Sequence, residues 1–271
     1  MENKIINELL VEVKQNKKYK TISDEIVSNE IKNYLSKKNL TKTTKKDIKE
    51  IRNLLHKSYA SFQTKKKNKI QDYLNELTKN PDDKEITNKL LSVTLSTKER
   101  LNNYQYIYKE ILKITGKPKI ILDLGAGFNL FSFPLMNLSM VEYYSYDINE
   151  KDMENLNIYY KIMKDRGLYG KAAILDLRDL REISKLPTSD MIFLFKVIDI
   201  LDKVNHKPSE ELIKRLIQKT KFIIASFATK TITRKSMNFP NRKWFELMLE
   251  RNNLKFQIIK TENEIFYIIK K

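Results

Sequence analysis

A short apolar run that ends in a glycine turn is the first feature of this chain that could do chemistry. The run Ile120–Leu124 contains Asp123 and leads into Gly125 and Gly127. At the carboxyl edge of a doubly wound sheet, such a turn faces a crevice that binds nucleotide-type ligands, because glycine lets the backbone approach the ligand closely. A dinucleotide-binding turn would have a third glycine where Leu130 stands. The turn therefore predicts a nucleotide-type ligand that is not a dinucleotide.

Two further carboxylates follow the next two apolar runs. Asp147 comes directly after Glu142–Tyr146, about twenty residues beyond the turn, where an acid that binds a ribose diol is expected. Asp176 comes directly after Lys171–Leu175 and could accept a hydrogen bond from an adenine amine. We expect both acids and Asp123 to face one crevice, because the carboxyl ends of parallel strands share one edge of a sheet. Any single acid could be an ordinary loop residue, but three in succession indicate a binding site.

The segment Asp123–Gly127 also resembles motif I of the S-adenosylmethionine-dependent methyltransferases. That cofactor has no pyrophosphate. It has an amino-acid end, which an acid and a positive charge can bind, and a ribose diol. The resemblance implies that S-adenosyl-L-methionine is the cofactor and that its site includes Asp123, Gly125, Ala126 and Gly127.

Alternating strands and helices must position these residues. Five apolar segments are bounded by polar or turn residues, and helical stretches lie between them near 150–166 and 208–219. This order predicts an α/β, Rossmann-like class I methyltransferase fold with a mostly parallel sheet and a terminal antiparallel hairpin. The predicted strands are Lys119–Leu124, Glu142–Tyr146, Lys171–Leu175, Met191–Phe195 and Phe222–Phe227, and the hairpin strands are Leu254–Lys260 and Ile265–Ile269.

The N-terminal part of the chain has a different pattern. Its apolar residues recur at spacings of three and four, which predicts amphipathic helices near 3–16, 24–38, 43–60 and 66–78. Asn80–Asp83 is a predicted helix breaker, and Ser96–Glu99 is a capping box that begins a helix extending to about Thr115. We therefore predict an all-α domain over residues 1–94 and a catalytic domain over residues 95–271.

The charge balance indicates a polyanionic partner. The chain carries 52 Lys and Arg residues against 34 Asp and Glu residues, a formal net charge of +18. A surplus of this size favours nucleic acid, because neutralised phosphates release condensed counterions. Ten basic residues against two acids lie between Lys42 and Lys69, and the predicted RNA contacts among them are Lys65, Lys66 and Lys67. The alternative interpretation is a lysine-rich composition with a solvated helix face.

Composition excludes several classes of site. The chain has no cysteine, which excludes a disulfide framework, Cys-ligated zinc and an iron–sulfur cluster. The two histidines, His56 and His206, stand apart, so no metal is expected. No apolar run approaches the roughly 20 residues of a membrane span, and no signal-peptide pattern is present. We therefore expect a cytoplasmic protein without membrane contact.

Most of residues 95–271 resembles one family, the aminoglycoside-resistance 16S ribosomal RNA guanine-N7 methyltransferases, and matches it in the family's order. The matching segments are Thr97–Arg100, Asp123–Asn129, Pro134–Met136, Tyr146–Ile148, Phe193–Lys196, Ser226–Phe227, Lys230–Thr231, Trp244–Phe245 and Asn263–Tyr267. His56–Tyr59 is faintly similar to part of the family's N-terminal RNA-docking module. Two positions depart from the pattern: Leu130 replaces a usual proline, and Thr233–Lys235 replaces a segment with a usual glycine.

The resemblance implies a role for each matching residue of the cofactor site. Arg100 would pair with the cofactor's carboxylate through its planar guanidinium. Asp147 and Ile148 would hold the ribose, and Asp176 and Leu177 would hold the adenine. These residues complete the cofactor site predicted around the glycine turn.

The resemblance also implies the reacting and RNA-binding residues. Phe195 and Lys196 would lie beside the reacting centre as the catalytic residues, with Phe195 also touching the cofactor. A basic loop over the target would contact RNA through Lys230, Arg234 and Lys235. The implied partner is ribosomal RNA in the 30S subunit, and we expect the protein to be a monomer.

The predicted reaction needs no general base. Guanine N7 carries a free lone pair, so it can attack the methyl group without first losing a proton. The segment Phe195–Val197 also differs from the Asn/Asp-Pro-Pro-aromatic motif of amine methyltransferases. We expect rate enhancement mainly from alignment and electrostatics, with the target base flipped onto an aromatic platform. The candidate platforms are Phe128, Phe195 and Trp244.

Three alternative functions remain open from the sequence. The chain could methylate adenine N1 of ribosomal RNA, or a transfer RNA. It could be a non-catalytic RNA-binding or ribosome-assembly protein, although an intact set of Arg100, Asp147 and Asp176 argues against this. A small-molecule methyltransferase would leave the basic helical region without a role.

Overall fold

The computed structural model describes residues 2–36, 38, 43–56, 65–202, 206–230 and 241–271. The helices are α1 Glu2–Lys14, α2 Asp24–Leu35, α3 Lys45–Leu55, α4 Ile70–Lys79, α5 Lys84–Leu91, α6 Leu95–Arg100, α7 Tyr104–Thr115, α8 Glu150–Met163, α9 Leu180–Lys185, α10 Ile198–Leu201, α11 Lys207–Leu216 and α12 Lys243–Arg251. The strands are β1 Ile120–Leu124, β2 Val141–Asp147, β3 Leu168–Ile174, β4 Ser189–Phe195, β5 Thr220–Ala228, β6 Lys255–Lys260 and β7 Glu264–Lys270. Short 3₁₀ segments cover Lys65–Lys69, Asn129–Met136 and Lys164–Arg166.

The strands form one seven-stranded sheet in the order β3-β2-β1-β4-β5-β7-β6. The first five strands in this order are parallel, whereas β7 pairs antiparallel with both β5 and β6. The predicted α/β Rossmann-like fold with a terminal antiparallel hairpin is confirmed. β1 lies between β2 and β4, so the carboxyl ends of these three strands meet at one edge.

Alternate residues of the central strands enter two separate cores. On β4, Phe193 and Phe195 belong to a core that α4, α5, α7 and α8 cover. Ile192 and Leu194 belong to the opposite core, which α9, α11 and α12 cover. Successive side chains of a strand point to opposite faces, so a continuous apolar run indicates a strand buried on both sides.

A third core holds α1, α2 and α3 together and includes Val13, Val27, Ile51 and Leu55. Helices α4 and α5, by contrast, share the core of the sheet's first face. The predicted domain boundary at residues 94/95 stays a prediction, and the packing favours a transition nearer residue 65. Each helix within the described ranges is too short or too polar to cross a membrane.

The helix predicted to run from Ser96 to Thr115 is instead two helices, α6 and α7. Thr94, not Ser96, is the N-cap residue of α6, and a turn over residues 101–103 separates the two helices. Asn102 and Asn103 are poor helix formers and stabilise turns, which accounts for the interruption. The prediction was wrong here because the capping pattern does not specify where the helix ends.

The other helix predictions differ in smaller ways. The segment predicted at 66–78 begins as a 3₁₀ turn before α4, and residues 57–60 of the segment predicted at 43–60 lie outside the described residues. Helix α5 was missed. The predicted breaker is its start, because Asp83 Oδ1 accepts hydrogen bonds from the backbone N–H groups of Glu85 and Ile86.

Candidate active site

A cavity of about 970 Å³ opens at the carboxyl edge of β1, β2 and β4. The glycine turn, Asp147 at the end of β2, Asp176 after β3, and the segment after β4 line its inner side. Helices α2 and α3 line the other side, so the N-terminal helices form part of the wall. Its volume is in the range of small-molecule and cofactor sites.

The glycine turn is held tightly against the neighbouring strands. The backbone N–H groups of Gly125 and Ala126 both donate to the carbonyl oxygen of Tyr146, at 2.8 and 2.9 Å. Gly125 has φ of +72°, and a Cβ atom there would lie 2.8 Å from Val197 Cγ2. Gly127 has φ of +49°, which also favours glycine. The turn therefore gives backbone access to the cavity that a bulkier residue at Gly125 would close.

Asp147 is fixed at the junction of β1 and β2. Its Oδ2 accepts a hydrogen bond of 2.8 Å from the Gly127 N–H, and its Oδ1 accepts one of 2.7 Å from the Ile148 N–H. Both Asp147 and Ile148 line the cavity. A carboxylate has about four acceptor positions, so a pair of hydroxyl groups could still donate to this one.

Asp123 lies beneath the turn and not on the cavity wall. The carboxylate is fully buried, and its Oδ2 accepts hydrogen bonds from Tyr143 OH at 2.6 Å and Asn129 Nδ2 at 3.0 Å. Among the residues that the structure describes, none forms a hydrogen bond with its Oδ1. Burial raises the pKa of Asp123 to about 6. Of the three acids expected to face one crevice, Asp147 and Asp176 line it, whereas Asp123 supports the turn from below.

Asp176 lines the cavity beside Leu177, and Arg178 holds its carboxylate. Arg178 Nε lies 3.0 Å from Asp176 Oδ1, and Nη2 lies 2.7 Å from Oδ2. The third guanidinium nitrogen of Arg178 bonds Glu30 on α2. Neither Arg178 nor Glu30 was predicted to have a role.

Arg100 is buried in a bidentate ion pair with Glu264 at the start of β7. Its Nε lies 2.8 Å from Oε2 and its Nη2 lies 2.9 Å from Oε1. Although burial raises the pKa of Glu264, the positive charges of Arg100 and Lys196 hold it below its ordinary value. Arg100 lies 4.8 Å from the centroid of the Phe195 ring but does not line the cavity. Its contact with a cofactor carboxylate stays a prediction.

Phe195 and Lys196 end β4 and both line the cavity. Phe195 stacks on Phe193, with ring centroids 4.7 Å apart. Lys196 has φ of +57°, an uncommon and costly conformation for a non-glycine residue, and its Nζ lies 2.7 Å from Glu99 Oε2. Strained backbone of this kind clusters at functional sites.

Three partners of these residues were missed as functional residues: Glu99, Ser226 and Glu264. Ser226 Oγ bonds both the Lys196 N–H, at 3.1 Å, and the Glu264 carboxylate. All three lie in segments that matched the family, so the signal was present. Their mutual contact was not visible, because it joins distant parts of the chain.

Of the three candidate platforms for a target base, Phe195 alone faces the cavity. Phe128 is buried and stacks on Phe131, with centroids 5.1 Å apart. Trp244 stacks on His206, with centroids 3.7 Å apart and ring planes 8° from parallel. The geometry therefore favours Phe195 over Phe128 as a surface for a flipped base.

The predicted RNA contacts are dispersed. Lys66 is exposed, but Lys67 lines the cavity and its Nζ lies 2.7 Å from Asp152 Oδ2. Lys230 pairs with Glu262. The Lys65 side chain, Arg234 and Lys235 lie outside the described residues. Contact of these lysines and arginines with RNA stays a prediction.

A metal centre finds no support in the described part of the chain. No group of three or more His, Asp or Glu side chains there is arranged to hold a metal ion.

Comparison with known proteins gives a consistent family relationship. The model of the family described as "Ribosomal RNA methyltransferase (FmrO)" matches residues 15–268. A 16S rRNA (guanine(1405)-N(7))-methyltransferase of Proteus mirabilis is 26% identical over 242 residues, which cover 82% of this chain and 83% of the relative. The enzyme of the same name from Micromonospora echinospora is 28% identical over 67% of this chain and 64% of the relative.

The fold also matches that of a solved structure. The crystal structure of the 16S rRNA methyltransferase RmtF in complex with S-adenosyl-L-homocysteine superimposes with a TM-score of 0.81 at 20% sequence identity, over 98% of each chain. At this identity the likeness concerns the fold.

Proposed function

Because the chain belongs to the FmrO family of ribosomal RNA methyltransferases, we propose that it transfers a methyl group from S-adenosylmethionine to N7 of the 16S rRNA guanine at position 1405. The single observation that carries the cofactor assignment is the Asp147 carboxylate, fixed at the cavity by the Gly127 N–H. The relatives named for this guanine support the choice of target.

The residues present fit the proposed cofactor. The nucleoside half would contact the carboxylates of Asp147 and Asp176, which lie on the wall at the ends of adjacent strands. The methionine half would lie along the Gly125–Gly127 turn, where positive φ angles and the missing Cβ atoms leave the backbone accessible. Arg100 is close to this half through its contact with Phe195 and is the candidate partner for the carboxylate.

S-adenosylmethionine, when bound, supplies an electrophilic methyl group on a sulfonium. The guanine N7 lone pair can accept this methyl without prior deprotonation, so the chain needs no base at the reacting atom. Phe195 would provide an apolar face beside the reacting centre and exclude water from it. Lys196, held by Glu99 and close to Glu264, would fix the end of β4 so that nucleophile and methyl group align.

The site of action follows from the same reasoning. We infer that the protein acts on the 30S subunit, since its net charge of +18 favours a large polyanionic partner. We also propose that it acts as a monomer in the cytoplasm. Basic residues of the segments 65–69 and 230–235 are proposed to contact the RNA backbone.

The decisive experiment is methyl transfer from labelled S-adenosylmethionine to purified 30S subunits, naked 16S rRNA and transfer RNA. We expect label in 30S subunits, as 7-methylguanosine at position 1405. Label as 1-methyladenosine, or in transfer RNA alone, would replace the proposed target. Binding of RNA without transfer or cofactor binding would make the protein a non-catalytic relative. Sedimentation of the free protein would test the monomer.

A further inference from the structure

Helix α2 of the N-terminal region crosses the nucleoside half of the cavity and contacts both ends of it. The segment just before α2 pairs with the segment just after β2, through a bridge between Ile22 and Asn149. The Ser23 N–H donates to the Ile148 carbonyl oxygen at 3.3 Å, and the Glu150 N–H donates to the Thr21 carbonyl oxygen at 3.1 Å. The start of α2 is therefore anchored beside Asp147.

Two turns further along α2, Glu30 reaches the other nucleoside acid through Arg178. A helix rises about 1.5 Å per residue, so the six residues from Asp24 to Glu30 span roughly 9 Å. Glu30 is 7% exposed and lines the cavity, and its carboxylate bonds Arg178 Nη1. Arg178 in turn grips both oxygens of Asp176 with its Nε and Nη2.

The Glu30–Arg178 contact fixes the Asp176 carboxylate and still leaves it lone pairs that can accept hydrogen bonds from a ligand. A guanidinium bound in fork geometry sets the plane of its carboxylate partner, and that carboxylate keeps further lone pairs. Loss of the Glu30 carboxylate would remove a charged partner of Arg178 Nη1, and the long Arg178 side chain would be held less tightly in the rotamer that grips Asp176. The orientation of the Asp176 carboxylate would then be less defined.

We propose that α2 belongs to the cofactor site and that Glu30 is a positioning residue, acting through Arg178 to orient the Asp176 carboxylate toward the cofactor's adenine amine. This inference rests on the proposed function. It assigns part of the selection of the cofactor's base to a helix outside the catalytic sheet.

The test is calorimetric binding of two ligands to the full chain: S-adenosylhomocysteine, and S-inosylhomocysteine, in which a carbonyl replaces the adenine amine. Glu30→Gln keeps the size of the side chain and removes its charge. We expect it to weaken S-adenosylhomocysteine binding about fivefold, the size of one weakened hydrogen bond, with a smaller effect on the inosine analogue. The preference for adenine should therefore fall.

A matched control lies on the same helix. Glu25→Gln removes a charge from an exposed position of α2 and should leave both affinities unchanged. Arg178→Lys keeps a positive charge but loses the fork, and should reduce the same preference. If thermal melting shows that Glu30→Gln does not fold, Arg178→Lys replaces it as the test of the positioning role.

The outcomes separate two failures. If Glu30→Gln weakens both ligands equally, or changes neither, Glu30 is a structural contact and the positioning role is overturned. If the wild-type chain binds neither ligand, the proposed cofactor itself is wrong.

Discussion

The Asp147 carboxylate and the Gly127 backbone are joined by a hydrogen bond of 2.8 Å, twenty residues apart in sequence and side by side at the cavity. The bond ties the last residue of β2 to the turn after β1, so the two segments proposed to bind the two halves of the cofactor hold each other in place. A second bond, from the Ile148 N–H, fixes the other oxygen.

Removal of this acid should separate cofactor binding from RNA binding. We expect Asp147→Ala to weaken S-adenosylhomocysteine binding about 100-fold, since two charge-assisted hydrogen bonds of roughly 1.5 kcal/mol each would be lost. RNA affinity should stay within about twofold, because this acid lies inside the cavity and not on a basic surface. Calorimetry and filter binding measure the two affinities.

The control for that variant is Asp165→Ala, which removes an exposed acid after α8. It should leave both affinities unchanged. Normal cofactor affinity in Asp147→Ala would mean that the glycine turn does not bind the ribose.

The buried Arg100–Glu264 pair should contribute strongly to folding when one partner is removed. Arg100→Ala would leave the Glu264 carboxylate buried with less compensation, and we expect the free energy of unfolding to fall by about 3–5 kcal/mol. Urea unfolding followed by circular dichroism measures this change. Cofactor affinity of the variant, measured where it is still folded, would test the predicted contact of Arg100.

Arg166 offers a matched comparison, because it forms a similar bidentate pair with Asp82 at the surface. Arg166→Ala should change stability little, since exposed pairs are screened by water and salt. Equal losses in the two variants would contradict the role of burial.

The sequence was sufficient to predict what depends on local pattern. Each predicted strand lies within a few residues of the observed one. For β1, β4 and β7 the reason is burial on both faces, which gives a continuous apolar run. Asp147 at the end of β2 and Asp176 shortly after β3 were found because a strand end and the residues next to it are neighbours in sequence.

Contacts between distant segments were not predictable. Arg100 and Glu264 are 164 residues apart, and Lys67 and Asp152 are 85 apart. Each of these side chains has a plausible solvated or ligand-binding interpretation when read alone. The fold decides which basic residue is exposed and which lies in the cavity wall. Lys67, predicted to contact RNA, lies in that wall, and its contact with RNA stays a prediction.

The buried Asp123 carboxylate should make stability depend on pH. Burial raises its pKa in the folded protein to about 6, above the ordinary value of 3.8. Between these values the folded state binds a proton that the unfolded state has released, so this group's contribution to stability falls as pH rises from about 4 to about 6. A shift of about two pKa units corresponds to roughly 3 kcal/mol.

Asp123→Asn removes this titration. We expect the variant to gain stability relative to wild type as pH rises from 4 to 7, by up to roughly 3 kcal/mol. Urea unfolding at several pH values measures the difference, with Asp165→Asn as the exposed control. A difference between variant and wild type that stays constant with pH would contradict the raised pKa.

The adjacent lysines Lys66 and Lys67 should have different functions. Lys67 Nζ lies 2.7 Å from the Asp152 carboxylate inside the cavity wall, whereas Lys66 is exposed. Burial raises the pKa of Asp152 to about 6, and the charge of Lys67 opposes that rise.

Lys67→Gln should therefore raise the pKa of Asp152 further. It should lower the melting temperature more at pH 8, where the carboxylate is charged, than at pH 5, where it can be protonated. Lys66→Gln should change the melting temperature little, and by the same amount at both pH values, because Lys66 is exposed. If Lys66 contacts a phosphate, its loss should reduce the slope of log affinity for RNA against log salt by about 0.7–0.9, while Lys67→Gln leaves that slope unchanged. If both variants change the salt slope equally, and Lys67→Gln lowers the melting temperature by the same amount at both pH values, Lys67 contacts RNA as Lys66 does.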